Sequence, residues 1–329
     1  MEYLDKRELT DAWLTAAQRA RIVDLKADVP FGEPCVIDEA VCAMGVFDGV
    51  HEGHRYIIGT AVKQAASLGL PVAVITFDHD PDELFLPLER QRKLMTNEDR
   101  LAHLATLEVA HVLVIPFDEA LAARSPRDFL DGVIAAQGTP RAIHVGRDFH
   151  FGSRALGTVD DLRQWGSKRG CEVVGHDLLT TDGAAVRATR IRDALAAGHL
   201  EEANNLLRRP FYLRGRVVPG RYVGRELGFP TANIVPEAGL APLGDGVYGG
   251  YVLVDDLPYK AAISVGVPVT FSETNATIEA HLLDFTGDLY GAHVKLAFVE
   301  YLRPMRAFES VEELVRTVNA NIAWVQENL

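Results

Sequence analysis

The sequence predicts two domains, an α/β domain on a parallel sheet followed by a small β-barrel or sandwich that ends in a helix. In the first part, short and continuously apolar runs alternate with helical stretches, which is typical of strands buried on both faces. From residue 212 to residue 302, glycines, prolines and short strand candidates dominate. A chain of 329 residues accommodates two such domains, and we place the boundary near residues 206–212, between 1–208 and 209–329.

The first domain contains four strand candidates separated by helical stretches. One helix follows the first candidate and extends to about Leu68. Ser125 and Pro126 predict another helix start, because serine caps free N–H groups and proline suits the first helical position. This alternation predicts a doubly wound sheet. The four candidates are Val41–Phe47, Val72–Phe77, His111–Pro116 and Ala142–Val145.

The second domain is predicted to be mainly β. Val247–Val254 and Val294–Leu302 are apolar strand candidates, and glycine-rich turns separate the strands of this region. A capping-box sequence at 310–313 opens a final helix from Val311 to about Gln326.

The composition excludes several classes of protein. A formal net charge of −13 disfavours sequence-independent nucleic-acid binding, which needs clustered cations. The three cysteines form no CxxC pair, so neither a zinc ribbon nor a disulfide framework is indicated. The first thirty residues are too acidic for a targeting signal, and no apolar run approaches the ~20 residues that span a bilayer. We therefore expect a reduced, cytoplasmic protein with neither a nucleic-acid nor a membrane partner.

A turn rich in glycine and histidine follows the first strand and enters a helix. Ligands of doubly wound sheets bind at the carboxyl ends of strands, where a helix N-terminus faces a phosphate. Two imidazoles three residues apart suit the charge of a polyphosphate, although surface histidines or a metal pair without a clear third ligand are alternatives. The predicted phosphate-binding residues are Gly45, Phe47, Asp48, Gly49, His51, Gly53 and His54.

This turn resembles the HxGH motif of the nucleotidylyltransferase superfamily, and most closely the adenylyltransferase module of prokaryotic bifunctional riboflavin kinase/FAD synthetases. Three further strings resemble motifs of that module, at residues 76–81, 146–152 and 189–192. The resemblance implies a Rossmann-like domain in which the FMN phosphate attacks the α-phosphorus of ATP. It assigns His51 and His54 to the triphosphate, and Thr189 and Arg192 to the leaving phosphates. Asp148 and Phe149 fall in its nucleotide- and flavin-binding segment.

Two positions depart from that pattern. Asp80 stands where the family usually has histidine, which puts an anion near phosphates. Ala188 stands where the family usually has serine, which removes a hydroxyl donor. Either change would slow adenylyl transfer.

A second group of motifs lies in the β-rich domain. Glycines such as Gly220 and Gly228 allow backbone N–H groups to turn toward an anion. Thr231 and Asn233 alternate along an extended chain and carry hard oxygen ligands suited to Mg²⁺ with ATP. The string from 224 to 234 closely resembles the riboflavin kinase signature, in which this threonine and asparagine organise Mg-ATP. By the same resemblance, Glu279 is the catalytic base for the ribityl 5′-hydroxyl.

One position departs from the kinase pattern, since Val269 replaces the proline usual before Thr270. Taken together, the motifs predict a bifunctional enzyme that makes FMN from riboflavin and ATP, and FAD from FMN and ATP. Both steps would need a divalent cation, most simply Mg²⁺. The alternatives are a riboflavin kinase with a degenerate first half, a flavin-binding regulator without activity, and a cytidylyltransferase, which would leave the second domain unexplained.

Overall fold

The computed structural model describes residues 6–14, 21–24, 37–220, 224, 227–266 and 277–329. Backbone contacts divide the chain into two compact units. The sheet unit comprises residues 16–91 and 96–188, and the barrel unit comprises residues 1–15, 92–95 and 189–329. Residues 189–208, which the sequence assigns to the first domain, group with the barrel unit. Val269 and Thr270 lie outside the described residues.

The sheet unit is built on a parallel sheet of six strands in the order β1-β4-β3-β2-β5-β6. The parallel α/β prediction is therefore confirmed, and the continuously apolar β2 and β3 are buried at every position. The two edge strands of this sheet, β1 and β6, were not predicted. The strands are β1 (Arg21–Asp24), β2 (Val41–Met44), β3 (Val72–Phe77), β4 (His111–Ile115), β5 (Ala142–Gly146) and β6 (Glu172–His176).

Helices connect these strands, and their ends follow local capping chemistry. The predicted start at Ser125 is confirmed, because its hydroxyl accepts a hydrogen bond from the Asp128 N–H. The helix after β2 ends at Gly69, whose φ of 67° suits glycine. The helices along the described chain are α1 (Lys6–Leu14), α2 (Glu52–Leu68), α3 (Pro81–Phe85), α4 (Asn97–Ala105), α5 (Glu119–Ala122), α6 (Pro126–Phe129), α7 (Val159–Ser167), α8 (Ala188–Ala196), α9 (Leu200–Leu207) and α10 (Val311–Asn328).

The barrel unit contains a closed barrel in the order β10-β13-β12-β11-β14-β9, which decides between barrel and sandwich. Alternate residues of β12, such as Ala261 and Ile263, are fully buried, while the intervening Ala262 and Ser264 are half-buried. The strands are β9 (Phe211–Val218), β10 (Ala232–Pro236), β11 (Gly246–Val254), β12 (Leu257–Gly266), β13 (Thr277–Leu282) and β14 (His293–Arg303). A short hairpin in the sheet unit supplies β7 (Thr180–Thr181) and β8 (Ala184–Ala185).

Two helices pack on the barrel. On α9, the buried Asn204 side chain donates to the Phe298 carbonyl at 2.9 Å and accepts from the Phe211 N–H at 2.7 Å. This amide binds α9 to β9 and β14, in agreement with the grouping of α9 with the barrel. On α10, Trp324 packs over Gly249, where a Cβ would lie 2.8 Å from the indole ring.

The start of α10 differs from the predicted capping box in one bond. Ser310 accepts from the Glu313 N–H at 3.1 Å, as expected. The Glu313 carboxylate accepts from the Glu309 N–H rather than from the Ser310 N–H, also at 3.1 Å. The cap is thus displaced by one residue, and it still satisfies two backbone donors.

A chain of polar side chains runs through the sheet unit between α2, β5 and β6. Gln64 donates from Nε2 to Glu172 at 2.8 Å, so its carbonyl oxygen accepts from His144 Nε2 at 2.6 Å. His144 Nδ1 then accepts from His176 Nε2 at 2.9 Å. In this arrangement both imidazoles can be neutral, each donating from Nε2. Burial lowers the pKa of both rings, that of His144 to about 4, and His176 contributes to the shift of His144.

These hydrogen-bonded side chains predict that the protein loses stability in mild acid. The unfolded imidazole takes up a proton near pH 6.5, whereas folded His144 does so only near pH 4. The neutral His144 therefore contributes up to about 3 kcal/mol to the free energy of unfolding above pH 6.5. This contribution is lost as the pH falls toward 4. Urea unfolding of the wild type and of His144→Leu at several pH values over this range gives the slope of the unfolding free energy against pH for each protein. The exposed His150→Gln variant is the control, and equal slopes for His144→Leu and wild type would contradict the prediction.

Candidate functional site

The order of the strands places several predicted motifs at one edge of the sheet. β2 pairs in parallel with β3 on one side and with β5 on the other. The chain therefore changes direction across the sheet at β2, and the carboxyl ends around such a switch point form a ligand crevice. The loops after β2, β3 and β5 are residues 45–51, 78–80 and 147–152. Three of the motifs that the sequence singled out thus meet at this edge.

The turn after β2 has a strained backbone. Phe47, Gly49 and Val50 have φ values of 60°, 76° and 44°. A positive φ is unfavourable for a buried β-branched residue such as Val50 and natural for Gly49. These torsions end the predicted Val41–Phe47 strand early, at Met44, and lead the chain abruptly into α2. Strain of this kind concentrates at binding sites.

The two histidines lie at the beginning of α2. His51 is the N-cap, and its Nδ1 accepts from the His54 N–H at 3.4 Å. The two rings stack with centroids 3.6 Å apart. Gly53 makes this possible, because a Cβ there would lie 3.2 Å from the His51 ring. The imidazoles are therefore held together beside the N–H groups of a helix N-terminus, which favour an anion.

His54 is neutral and has an unused ring atom. Burial lowers its pKa well below the ordinary value, and His51 and Arg100 lower it further. Its Nδ1 is buried and has no hydrogen-bond partner among the described residues. An orphaned buried nitrogen is unfavourable by about 1–3 kcal/mol, which a ligand group in hydrogen-bonding reach would recover.

The other predicted residues of this turn support the histidines. Phe47 packs its ring edge-on to His54, with centroids 5.3 Å apart. Gly45 leaves room for Phe47, because a Cβ there would lie 3.2 Å from its ring. Asp48 is buried in the 3₁₀ turn Asp48–Val50 that precedes α2.

Arg100 is a residue of this region that sequence reasoning missed. It is 2% exposed and lies on α4, outside every motif. Its guanidinium donates to the Val46 carbonyl at 2.7 Å, to Thr76 Oγ1 at 2.6 Å and to the Phe77 carbonyl at 2.6 Å. Hydrogen bonds from charged groups contribute about 1.5–3 kcal/mol each. Arg100 therefore holds the end of β3 to the turn after β2.

A cavity of about 730 Å³ opens at the same edge of the sheet. Its volume falls within the ~300–1,000 Å³ of small-molecule sites. The predicted Phe149 lines it, whereas Asp148 is exposed and pairs with Arg187 at 3.3 Å. The lining is rich in aromatic rings, which suit a flat apolar ligand. Its phenylalanines are Phe77, Phe85, Phe117, Phe129, Phe149 and Phe151.

Asp80, the residue that departs from the first motif, lies in a group of carboxylates near Arg100. Asp48, Asp78, Asp80 and Glu83 all raise the pKa of Arg100, against a larger lowering by burial. The negative charge of Asp80 is therefore partly balanced by a buried cation. Glu83 also accepts from the Asp80 N–H at 2.8 Å, which fixes the start of α3.

In the barrel unit, the predicted polar residues form a row across three strands. Asn233 on β10 faces Glu279 on β13, and Glu279 faces Ser264 on β12. Residues paired in this way project from the same side of the sheet, with Cβ atoms about 4.5–5.5 Å apart. The neighbouring Ile234 and Ile278 are buried inside, so this row lies on the outer face of the barrel. Ser264 is an addition that the sequence did not suggest.

Glycines make room for the predicted metal-binding side chains. A Cβ at Gly220 would overlap the Asn233 amide, and a Cβ at Gly224 would lie 3.2 Å from Thr231 Oγ1. The predicted Gly228 has a φ of 90° in the turn before Thr231. The amide and hydroxyl oxygens are hard donors that fit Mg²⁺, which keeps several water or phosphate ligands. Among the described residues, no group of three His, Cys, Asp or Glu side chains forms a metal site.

Thr189 and Arg192 lie on α8 in the barrel unit. Thr189 is exposed in the first turn. Arg192 donates from Nε to the Arg92 carbonyl at 2.6 Å. Lys93, the residue after Arg92, exchanges backbone hydrogen bonds with the loop of Gly239 and Ala241, at 2.9 and 2.7 Å. Arg192 is therefore fastened to the barrel unit.

Each half of the chain matches a known protein family, and both families appear in the names of relatives that match most of the chain. Residues 35–190 match the family model of FAD synthetase, and residues 207–329 match that of riboflavin kinase. The chain is 36% identical to the bifunctional riboflavin kinase/FMN adenylyltransferase of Pseudomonas fluorescens over 86% of this chain and 91% of the relative. It is 33% identical to the Escherichia coli K12 protein of the same name, over 83% and 88% of the two chains.

A solved structure has the same fold over nearly the whole chain. It is described as a macrolide-efflux protein from Streptococcus pneumoniae, with a TM-score of 0.80 and 30% identity. The match covers 94% of this chain and 99% of that chain. That description concerns the Streptococcus protein. In the described parts of this chain, no helix has the length and apolar character needed to cross a membrane.

Proposed function

Because the chain belongs to the family of bifunctional riboflavin kinases/FMN adenylyltransferases, we propose that its two reactions take place in different domains. The enzyme phosphorylates riboflavin with ATP to form FMN, and transfers an adenylyl group from a second ATP to FMN to form FAD. We propose residues 1–208 as the adenylyltransferase domain and 209–329 as the kinase domain. The observation that carries the proposal is a polyphosphate-type turn beside an aromatic cavity at one sheet edge.

For adenylyl transfer, the aromatic cavity is the proposed site of the flavin ring. Phe149 and the other phenylalanines offer flat apolar contacts to the isoalloxazine. The FMN phosphate oxygen attacks the α-phosphorus of ATP, the bond to the β-phosphate oxygen breaks, and pyrophosphate leaves. The reaction requires no nucleophilic side chain, so positioning and charge stabilisation supply the catalysis.

The turn after β2 is the proposed triphosphate site. His51 and His54 bind phosphate oxygens, and the unpartnered Nδ1 of His54 is a ready contact. Gly45, Phe47, Asp48, Gly49 and Gly53 shape the turn. The family resemblance further assigns Thr189 and Arg192 to the leaving phosphates, and Asp148 to the nucleotide segment.

For the kinase reaction, Glu279 is the proposed general base. Its carboxylate accepts the proton of the ribityl 5′-hydroxyl as that oxygen attacks the γ-phosphorus of ATP, and ADP leaves. The hydroxyl of Thr231 and the amide oxygen of Asn233 hold Mg²⁺ with ATP, and the backbone near Gly220 and Gly228 binds phosphate. When bound, Mg²⁺ neutralises phosphate charge.

We also propose the cytoplasm as the compartment of this enzyme. The thiols of Cys42 and Cys171 are free and buried. Burial raises the pKa of both, that of Cys171 to about 12, so neither is a reactive thiolate near neutral pH. Unpaired structural thiols are typical of reducing compartments.

A time course with purified protein, riboflavin, ATP and Mg²⁺ tests the division of labour. FMN should form first and FAD second. Formation of FMN alone, even with high FMN and ATP, would favour a kinase with a degenerate adenylyltransferase half. Absence of turnover in both steps would favour a flavin-binding regulator.

Glu279→Gln should strongly impair the first step and spare the second. The amide cannot take the proton of the hydroxyl, so kcat for FMN formation should fall by about 10²–10⁴-fold. FAD formation from supplied FMN, followed by chromatography, should stay within about twofold of wild type. Glu237→Gln, which changes an exposed carboxylate just after β10, is the matched control. Parallel loss of both reactions in Glu279→Gln would contradict the proposed division.

His54→Ala should impair only FAD formation. Loss of an imidazole that stabilises phosphate charge should lower kcat/KM for that step by about 10²-fold or more. Riboflavin phosphorylation by the same preparation serves as the internal control for folding and concentration. Unchanged FAD synthesis would remove His54 from the site.

Asp80→His should accelerate FAD formation. Replacing an anion near phosphates by an imidazole should raise kcat/KM for ATP several-fold, and more so at low ionic strength. The neutral Asp80→Asn variant separates loss of negative charge from gain of an imidazole. If both variants match the wild type at several salt concentrations, Asp80 does not limit the reaction.

A further inference from the structure

We propose that Arg100 is a positioning residue for adenylyl transfer, which fixes the phosphate-binding turn after β2 against the end of β3 from inside the protein. The proposal rests on the assignment of FAD formation to residues 1–208. Arg100 is 2% exposed, so it acts through the groups it binds rather than by touching substrate.

The hydrogen bonds of Arg100 join two of the strand ends that surround the crevice. Val46, whose carbonyl accepts from Arg100 at 2.7 Å, immediately precedes the left-handed Phe47. Phe77, whose carbonyl accepts at 2.6 Å, is the last residue of β3 and lines the aromatic cavity. Thr76 Oγ1 accepts from Arg100 and donates to the Val46 carbonyl at 3.2 Å. One guanidinium thus ties the turn to the cavity wall.

A planar guanidinium suits these three acceptors together. The two terminal amino groups of arginine point in fixed directions. Here Nη1 donates to the Val46 carbonyl and to Thr76 Oγ1, and Nη2 donates to the Phe77 carbonyl. A lysine at this position keeps the charge and has a single terminal atom. The positive φ values at Phe47 and Val50 are unfavourable and persist only when the surrounding structure holds them. The hydrogen bonds of Arg100 beside the turn supply part of that support.

The charge of Arg100 affects the histidines as well as the backbone. Asp48, Asp78, Asp80 and Glu83 act on Arg100 from the turn, the loop after β3 and α3. In the other direction, Arg100 and His51 lower the pKa of His54, after burial as the main cause. The guanidinium therefore favours the neutral imidazole, whose unpartnered Nδ1 remains available to a ligand.

Three variants separate the effect of the planar guanidinium from the effect of its positive charge. Arg100→Met removes both and approximates the length of the side chain. Arg100→Lys keeps the charge, and Thr76→Val removes one acceptor while leaving Arg100 in place. Arg169→Met is the matched control, because Arg169 is an arginine of the same unit that binds Asp131 at 2.7 Å and stacks on Trp165. Riboflavin phosphorylation reports on the other unit of each preparation.

Steady-state kinetics of FAD formation give the first readout. We expect kcat to fall by about 10–100-fold in Arg100→Met, by less in Arg100→Lys, and by about 3–10-fold in Thr76→Val, on the scale of a misplaced site. Arg169→Met should retain FAD formation within about twofold, and all variants should phosphorylate riboflavin normally. If Arg100→Met does not fold, Arg100→Lys and Thr76→Val carry the test.

Histidine NMR of the folded variants gives a readout that mere destabilisation would not move. In Arg100→Met, and not in Arg169→Met, the pKa of His54 should rise as the neighbouring cation is lost; Arg100→Lys should keep it near the wild-type value. Normal FAD kinetics in Arg100→Lys and Thr76→Val, or equal losses in Arg169→Met and Arg100→Met, would overturn the proposal. If His54→Ala also left FAD formation intact, the site assignment itself would be wrong.

Discussion

Parallel pairing of β3, β2 and β5 is the constraint on which the sheet unit depends. Strands that run in the same direction end at the same edge, so every loop that follows one of them faces the same crevice. His54, Phe77 and Phe149 are distant along the chain, and they are brought to one edge by the ladders of β2 with its neighbours. The backbone hydrogen bonds of the sheet thereby create a site that no single segment contains.

The proposed site must hold anions on a chain with a net charge of −13. In our proposal the attraction for phosphate is local, since it comes from backbone N–H groups at the start of α2 and from imidazole N–H groups. The buried Arg100 contributes a full positive charge, yet Asp48, Asp80 and other carboxylates surround it. Positive and negative charges lie close together here, so we expect the charge at position 80 to affect phosphate binding.

Much of the architecture was predictable because its signals are local. Continuous apolar runs indicated β2, β3, β4 and β5, and the glycine-rich second half indicated a β domain. Capping chemistry located the helix at Ser125. By contrast, β1 and β6 were missed, since Arg21–Asp24 and Glu172–His176 include charged or polar residues and are recognisable only by their partners in the sheet. The grouping of α9 with the barrel also depends on a distant contact, that of Asn204 with Phe298.

The sequence by itself determined the two-part organisation, the motif residues and, through their resemblance to a known family, the reactions to expect. Those inferences depend on short segments whose spacing is visible in the chain. Only the tertiary structure decided that Arg100 joins the turn after β2 to β3, that phenylalanines from several separate segments line a cavity, and that Asn233, Glu279 and Ser264 form one row. Burial and strand register bring these groups together, and both depend on contacts between residues far apart in sequence.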